Sequence, residues 1–285
     1  MGSSRNMTKA DEWNLPWIMD KAGDPPPGVH WGPWGGNCPP LEPPVAPPLH
    51  AVVTGANKGI GLEICRQLAS KGVTVVLASR DEKRGLEAVC KLKEESSVAL
   101  SGEVVFHQLD VTNSASIDSL AEFVRTQFGK LDILVNNAGI VGTVIDYHAL
   151  TAAVERVGGW NIPGKSIRDA LEDIENLTKD RIDEIFKEFL GDLQQGQLEA
   201  KGWPQNMSAY KLSEAALNAY TRLLTKDFPS ILVNSVCPGF VMTDITGNNG
   251  FLSAAEGAES PVHLALLPED GPSGLFFSRK EVSNL

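Results

Sequence analysis

Between Leu49 and Val135, apolar and polar positions alternate in blocks that read as strand, helix, strand, helix. Ala51-Val52-Val53 is an apolar run ending in a glycine-rich turn, Thr54 to Gly61. Leu62 to Ser70 then carries apolar residues at helical spacing. Val73 to Ser79, following Gly72, predicts a second strand. Asp81 to Glu95 predicts a charged helix with Leu86, Val89 and Leu92 on one side. Glu103 to Leu109 predicts a third strand. Ile117, Leu120, Val124 and Phe128 then recur at three- and four-residue steps, a helix over Ser114 to Phe128. Leu131 to Val135 predicts a fourth strand, closed by Asn136-Asn137-Ala138-Gly139. Strands alternating with helices form right-handed βαβ units, so the expected fold is α/β, a doubly wound parallel sheet. Ligands of such sheets sit outside the carboxyl ends of the strands, where the polar motifs fall.

The second half reads differently. No apolar β-branched run lies between Ile145 and Ile231. Ser166 to Gln197 is a charged helical stretch in which Ile182, Ile185, Phe186, Phe189 and Leu190 share one face, with Thr178 as N-cap. Tyr210 falls in a further helix. Ile231 to Val236 predicts a strand, Cys237-Pro238-Gly239 a turn, and Ser253 to Leu267 a helix broken near Pro261. Leu275 to Phe277 predicts a last short strand.

Residues 1–48 stand apart from this domain, 49–285. Pro25-Pro26-Pro27, Pro39-Pro40, Pro43-Pro44 and Pro47-Pro48 forbid helix and discourage central strands, which predicts a disordered, Pro/Trp-rich leader. The spacing from Pro40 to Pro43 also suits an aromatic-lined groove, a less favoured expectation.

Composition narrows the class. A net charge of −11 and a pI near 5.0 argue against nucleic acid or an anionic membrane as the main partner. Cys38, Cys65, Cys90 and Cys237 form no C-x-x-C pair. Cys65 and Cys90 sit in helical patterns and read as buried free thiols, neither disulfides nor metal ligands. The five histidines show no ligand spacing, so no metal is expected. No apolar run reaches membrane-spanning length. Asn6 stands where a myristoylation start needs Ser or Thr, so a cytoplasmic protein is expected.

The glycine turn carries the first chemistry. Strand, turn and helix N-terminus make an anion site, with backbone N–H groups and the helix dipole facing a phosphate. Glycines let the chain turn tightly and approach a pyrophosphate. About 20 residues on, an acid would bind the ribose 2′-hydroxyl of NAD, whereas arginine accommodates the extra phosphate of NADP. The chain offers Ser79-Arg80 there, and Lys58 adds a cation inside the turn. Asp81 reads as the N-terminal residue of a helix. The expected cofactor is NADPH/NADP+.

Thr54 to Gly61, Asp110, Asn136 to Gly139, Tyr210 and Pro238-Gly239 together resemble the short-chain dehydrogenase/reductase family, with its Rossmann-like sheet. Leu198 to Pro204, Ala215 to Tyr220 and Gly274 to Phe277 resemble its plant carbonyl reductase branch, which includes menthone- and salutaridine-reducing members. The resemblance implies NADPH-dependent reduction of a ketone or aldehyde on a hydrophobic, terpenoid- or alkaloid-like molecule. It implies a cofactor site of Thr54, Gly55, Asn57, Lys58, Gly59, Ile60, Gly61, Arg80, Asp110, Val111, Asn137, Ala138, Gly139, Pro238, Gly239, Val241 and Thr243. Asp110 would hold the adenine amino group, Asn137 the ribose region, and Val241 and Thr243 the nicotinamide side. Read from its spacing alone, a loop-capping role is the less favoured alternative for Asp110.

Tyr210 would be the proton donor. The family places a lysine four residues later, on the same helix face, where a cation lowers the phenol pKa. Here that residue is Glu214, whose charge has the opposite effect; Lys211 lies about 100° round the helix. The family's serine-bearing strand has no counterpart, and one helix–strand unit is missing near Trp160-Asn161. The last strands are then expected to close up beside strand four; otherwise a gap would leave an unpaired edge. The helical segment, about 161–203, resembles the insertion that covers the site in this branch and favours a monomer. An impaired, NADPH-binding chain or an aberrantly spliced product is the alternative expectation.

Overall fold

The computed structural model describes residues 48–94, 100–140, 164–204 and 207–283. Only Pro48 of the expected leader lies among them. The first half is β1 (His50–Thr54), α1 (Gly59–Ser70), β2 (Thr74–Ser79), α2 (Glu82–Glu94), β3 (Val104–Gln108), α3 (Ser114–Phe128) and β4 (Ile133–Val135). The strands form a parallel sheet in the order β3-β2-β1-β4, with Val52 opposite both Val76 and Leu134. Because side chains alternate across a strand, each strand feeds two cores. Val53, Val75 and Leu77 pack with Ile64, Cys65 and Leu68 of α1, whereas Val52 and Val76 pack with Leu120 and Val124 of α3.

The helix ends follow from their caps. Asp81 Oδ1 accepts the Arg84 amide at 3.0 Å, the N-terminal role expected of it. Asn113 caps α3 by accepting from the Ser116 amide, and Gly129 closes it in the left-handed region. Along α2 the buried positions are Gly85, Ala88, Val89 and Leu92, while Leu86 is exposed, contrary to expectation. The reason is Gly85, whose missing side chain lets Phe106 of β3 lie against the helix backbone. The same rotation exposes Cys90, expected buried; Cys65 is buried as expected.

The charged stretch is two helices, α4 (Lys165–Glu172) and α5 (Lys179–Gln194), followed by α6 (Ser208–Asp227). Thr178 caps α5 as expected, its hydroxyl accepting from the Arg181 amide at 3.1 Å. These helices enclose a core of their own, with Ile182, Ile185, Phe189, Trp203, Leu212 and Ala216 at its centre. Trp203 Nε1 donates to Asp192 at 2.8 Å. Leu190, expected on the apolar face, is 53% exposed.

The chain ends with β5 (Ser235–Cys237), α7 (Ala254–Ala265), β6 (Phe276–Ser278) and β7 (Glu281–Val282). Here the structure corrects the expected closure. β5, β6 and β7 form a separate three-stranded sheet, and among the described residues β4 pairs with β1 alone. The expected six-residue strand shrinks to three because β5 has one neighbour, β6. Residues before it bond instead to the 271–275 loop: Ser273 Oγ meets the Val233 amide and Val233 O accepts from Gly274. α7 runs unbroken through Pro261, also contrary to expectation. A Ser253–Glu256 capping box starts it, and Ala258 and Val262 bury against α1, packing that offsets the lost backbone bond.

Candidate active site

The glycine turn lies at the carboxyl end of β1. Gly55 and Gly59 adopt φ of +64° and +58°, the left-handed region that favours glycine. Lys58 is the extended N-cap of α1, but no side chain caps the helix and no acid stands in its first turn. Among the described residues, the first-turn amides and the positive dipole end therefore have no capping side chain, as an anion site requires.

The end of β4 is pressed onto this turn. A Cβ on Gly61 would come within 2.5 Å of Asn137 Nδ2, and one on Gly55 within 2.7 Å of Ala138 Cα. Thr54 Oγ1 accepts from the Asn137 and Ala138 amides, at 3.0 and 2.9 Å. Asn137 Nδ2 donates to Thr54 O at 2.9 Å and to Gly55 O at 3.3 Å. The structure thus brings Thr54, Gly55, Gly61, Asn137 and Ala138 together, and the Asn137 amide is spent on fastening β4 to the turn. Asn57 and Ile60 are half-buried in the same turn, and Gly139 is exposed just past the junction.

A second segment lies over the start of α1. Val241 is buried against Gly257 of α7, and Thr243 Cγ2 stands 3.4 Å from where a Gly59 Cβ would be. Thr243 and Thr246 form a capping box that shapes the turn Asp244–Thr246, and Thr246 Oγ1 donates to Val241 O at 2.7 Å. Lys58 Nζ forms an ion pair with Asp244, whose carboxyl is held below the usual range by that hydrogen bond, with a smaller pull from Arg84. Asp244 and Arg84 were not expected here; a turn acid and a helix arginine carry no sequence signal for such a meeting. Gly239, with φ of +92°, leaves room for Leu252 and turns the chain after Pro238.

At the end of β2, Ser79 is buried and its hydroxyl donates to Asp81 O, leaving Arg80 exposed. Asp110 accepts from Thr112 Oγ1 at 2.7 Å and from its amide at 3.0 Å. These bonds hold its carboxyl below the usual range, with Arg80 a smaller contributor, so Asp110 does cap its loop. Val111 packs beside the α3 core.

Tyr210 and Glu214 sit one turn apart on α6, in a different packing unit from the glycine turn. Burial first, then the Glu214 carboxylate and then Cys237, pushes the Tyr210 phenol well above its ordinary range. Burial also raises Glu214, and Cys237 is raised by burial with Glu214 adding to it. The sign expected of Glu214 is present, but burial is the larger cause. Cys237, read from sequence as part of a turn, joins this cluster. Such a phenol stays protonated and can act as a proton donor. Among the described residues no strand between β4 and β5 carries a serine; residues 141–163 lie outside them. Also among the described residues, no three His, Cys, Asp or Glu side chains could hold a metal, and no helix is long and apolar enough to cross a membrane.

Residues 49–166 match the family described as short chain dehydrogenase. "Short-chain dehydrogenase/reductase 1" of Saponaria officinalis is 47% identical over 289 residues, covering 82% of this chain and 95% of the relative. The chain belongs to the short-chain dehydrogenase/reductase family. It is an oxidoreductase by that membership. A second family member, (+)-neomenthol dehydrogenase of Arabidopsis thaliana, is 48% identical over 290 residues, covering 83% and 98%. Salutaridine reductase from Papaver somniferum shares the fold with a TM-score of 0.72 and 37% identity, covering 81% of this chain and 99% of that one. The alignment with the Saponaria member runs over 289 residues while using 82% of these 285, so that relative has several tens of residues with no counterpart here.

Proposed function

We propose that this family member reduces a ketone or aldehyde on a hydrophobic, terpenoid- or alkaloid-like molecule, using NADPH, with Tyr210 as proton donor. The observation that carries the reading is the uncapped glycine turn with Arg80 and Lys58 at its flank. The residues fit a dinucleotide: amides from Gly55 to Gly61 would hold the pyrophosphate, in a cradle that Cβ atoms on Gly55 or Gly61 would disrupt. Arg80 and Lys58 would answer the 2′-phosphate, while Asp81, the next residue in sequence, is occupied in capping α2. When bound, the reduced nicotinamide supplies the hydride. Val241 and Thr243 would border it, and the phenol of Tyr210 would donate its Oη proton to the substrate oxygen. Met242, Ile245 and Phe251, exposed on and beside the segment after Gly239, give an apolar surface suited to such a substrate. Relatives named for neomenthol and salutaridine support the substrate class. The monomeric state and cytoplasmic location belong to this reading by resemblance.

Fluorescence titration of the full chain tests it. NADPH binds more tightly than NADH, and Arg80→Ala weakens NADPH about tenfold or more while leaving NADH unchanged. A folded chain with no preference between the two refutes the cofactor assignment.

A further inference from the structure

Lys58 is the one cation inside the glycine turn, and it is already paired. Its partner Asp244 is not a neighbour in sequence; it stands 186 residues on, in the turn Asp244–Thr246. That turn is firmly held. The Thr243–Thr246 capping box shapes it, Thr246 Oγ1 is tied to Val241 O, and Val241 is 2% exposed beneath Gly257. Thr243 touches the Gly59 position from the same side. The carboxylate is therefore presented to Lys58 by a fixed backbone, and Arg84 of α2 lies within electrostatic reach of it.

Resting on the NADPH reading above, we propose that Asp244 is a specificity-determining residue. It holds Lys58 in the free protein and must yield it when a 2′-phosphate arrives, so it sets how strongly and how salt-dependently the chain prefers NADPH over NADH. The physics is a competition for one ammonium. A phosphate near Lys58 gains a full cation only if the carboxylate gives it up, and the two anions repel one another at the same time. Both side chains are more than half exposed, so the pair is weak and exchangeable. A nucleotide without the 2′-phosphate makes no demand on Lys58 and does not feel the exchange.

The test is a double-mutant cycle of Asp244→Asn and Lys58→Gln, read by NADPH and NADH fluorescence titration at low and moderate salt. Asp244→Asn tightens NADPH about three- to tenfold at low salt, less at moderate salt, and leaves NADH unchanged. In the Lys58→Gln background the same substitution has a markedly smaller effect. Equal shifts for both nucleotides, or an Asp244→Asn effect undiminished without Lys58, overturns the proposal while the cofactor reading stands. A folded wild-type chain that binds neither nucleotide overturns both.

Discussion

Glu214→Lys is expected to make Tyr210 a better proton donor. Residues four apart on a helix have Cβ atoms about 5–6 Å apart. At ~5 Å and an effective dielectric near 20, a unit charge is worth at most about 3 kcal/mol. Burial raises Glu214, and its carboxylate adds to the upward shift of the phenol. Removing that anion and installing a cation act in the same direction, and after solvent screening together favour ionisation of the phenol by about 3 kcal/mol, about a hundredfold. If half of that difference is expressed in the transition state, kcat/KM rises about tenfold. The assay is NADPH oxidation with a hydrophobic cyclic ketone, followed from neutral to alkaline pH. A proton donor must be protonated, so activity is lost as pH rises through its pKa. Because the wild-type phenol is held well above its ordinary range, that loss lies further into alkaline pH than in the variant. Equal kcat/KM and an unmoved alkaline limb, with NADPH affinity intact, would sink the argument.

Three further expectations concern stability. Gly61→Ala brings a Cβ to 2.5 Å from Asn137 Nδ2 and 2.9 Å from the Ala56 backbone; it costs about 1–3 kcal/mol in urea unfolding and abolishes NADPH binding. Gly191→Ala, in mid-helix with nothing within 4 Å, instead stabilises by about 0.5–1 kcal/mol. Burial opposes ionisation of Asp132, yet bonds from Lys130 and the His50 amide outweigh it and hold the carboxyl below its usual range. Its stabilisation is present above the unfolded carboxylate value near ~4 and is lost as pH falls through the lower folded value. Asp132→Asn therefore lowers stability at neutral pH and flattens that acid loss, as measured by thermal melts from pH 6 to pH 3.

The first half of the fold was legible because local signals agree with one another there. β-branched runs, the Asp81 helix start and the glycine turn each point to the same alternation, and α3 spans the expected residues. Leu86 misled because its exposure depends on Phe106 reaching Gly85 from another strand, a contact that periodicity does not encode. Ile231 to Asn234 look like strand, but among the described residues Val233 and Asn234 bond to the loop before β6 and not to a neighbouring strand, a choice of partner that periodicity does not encode. In the site, glycines and Thr54 announced themselves by type. Asp244 did not, because an exposed turn acid becomes informative only when folding carries it to Lys58.

The separation of the helical core from the two sheet cores has a practical meaning for anyone purifying this protein. The glycine turn is assembled from β1, β4, α1 and α7, whereas Tyr210 stands on α6, whose Leu212 and Ala216 pack in the core around Trp203. Retention on a nucleotide-affinity column therefore certifies one half of the molecule and leaves the chemistry of the other unexamined.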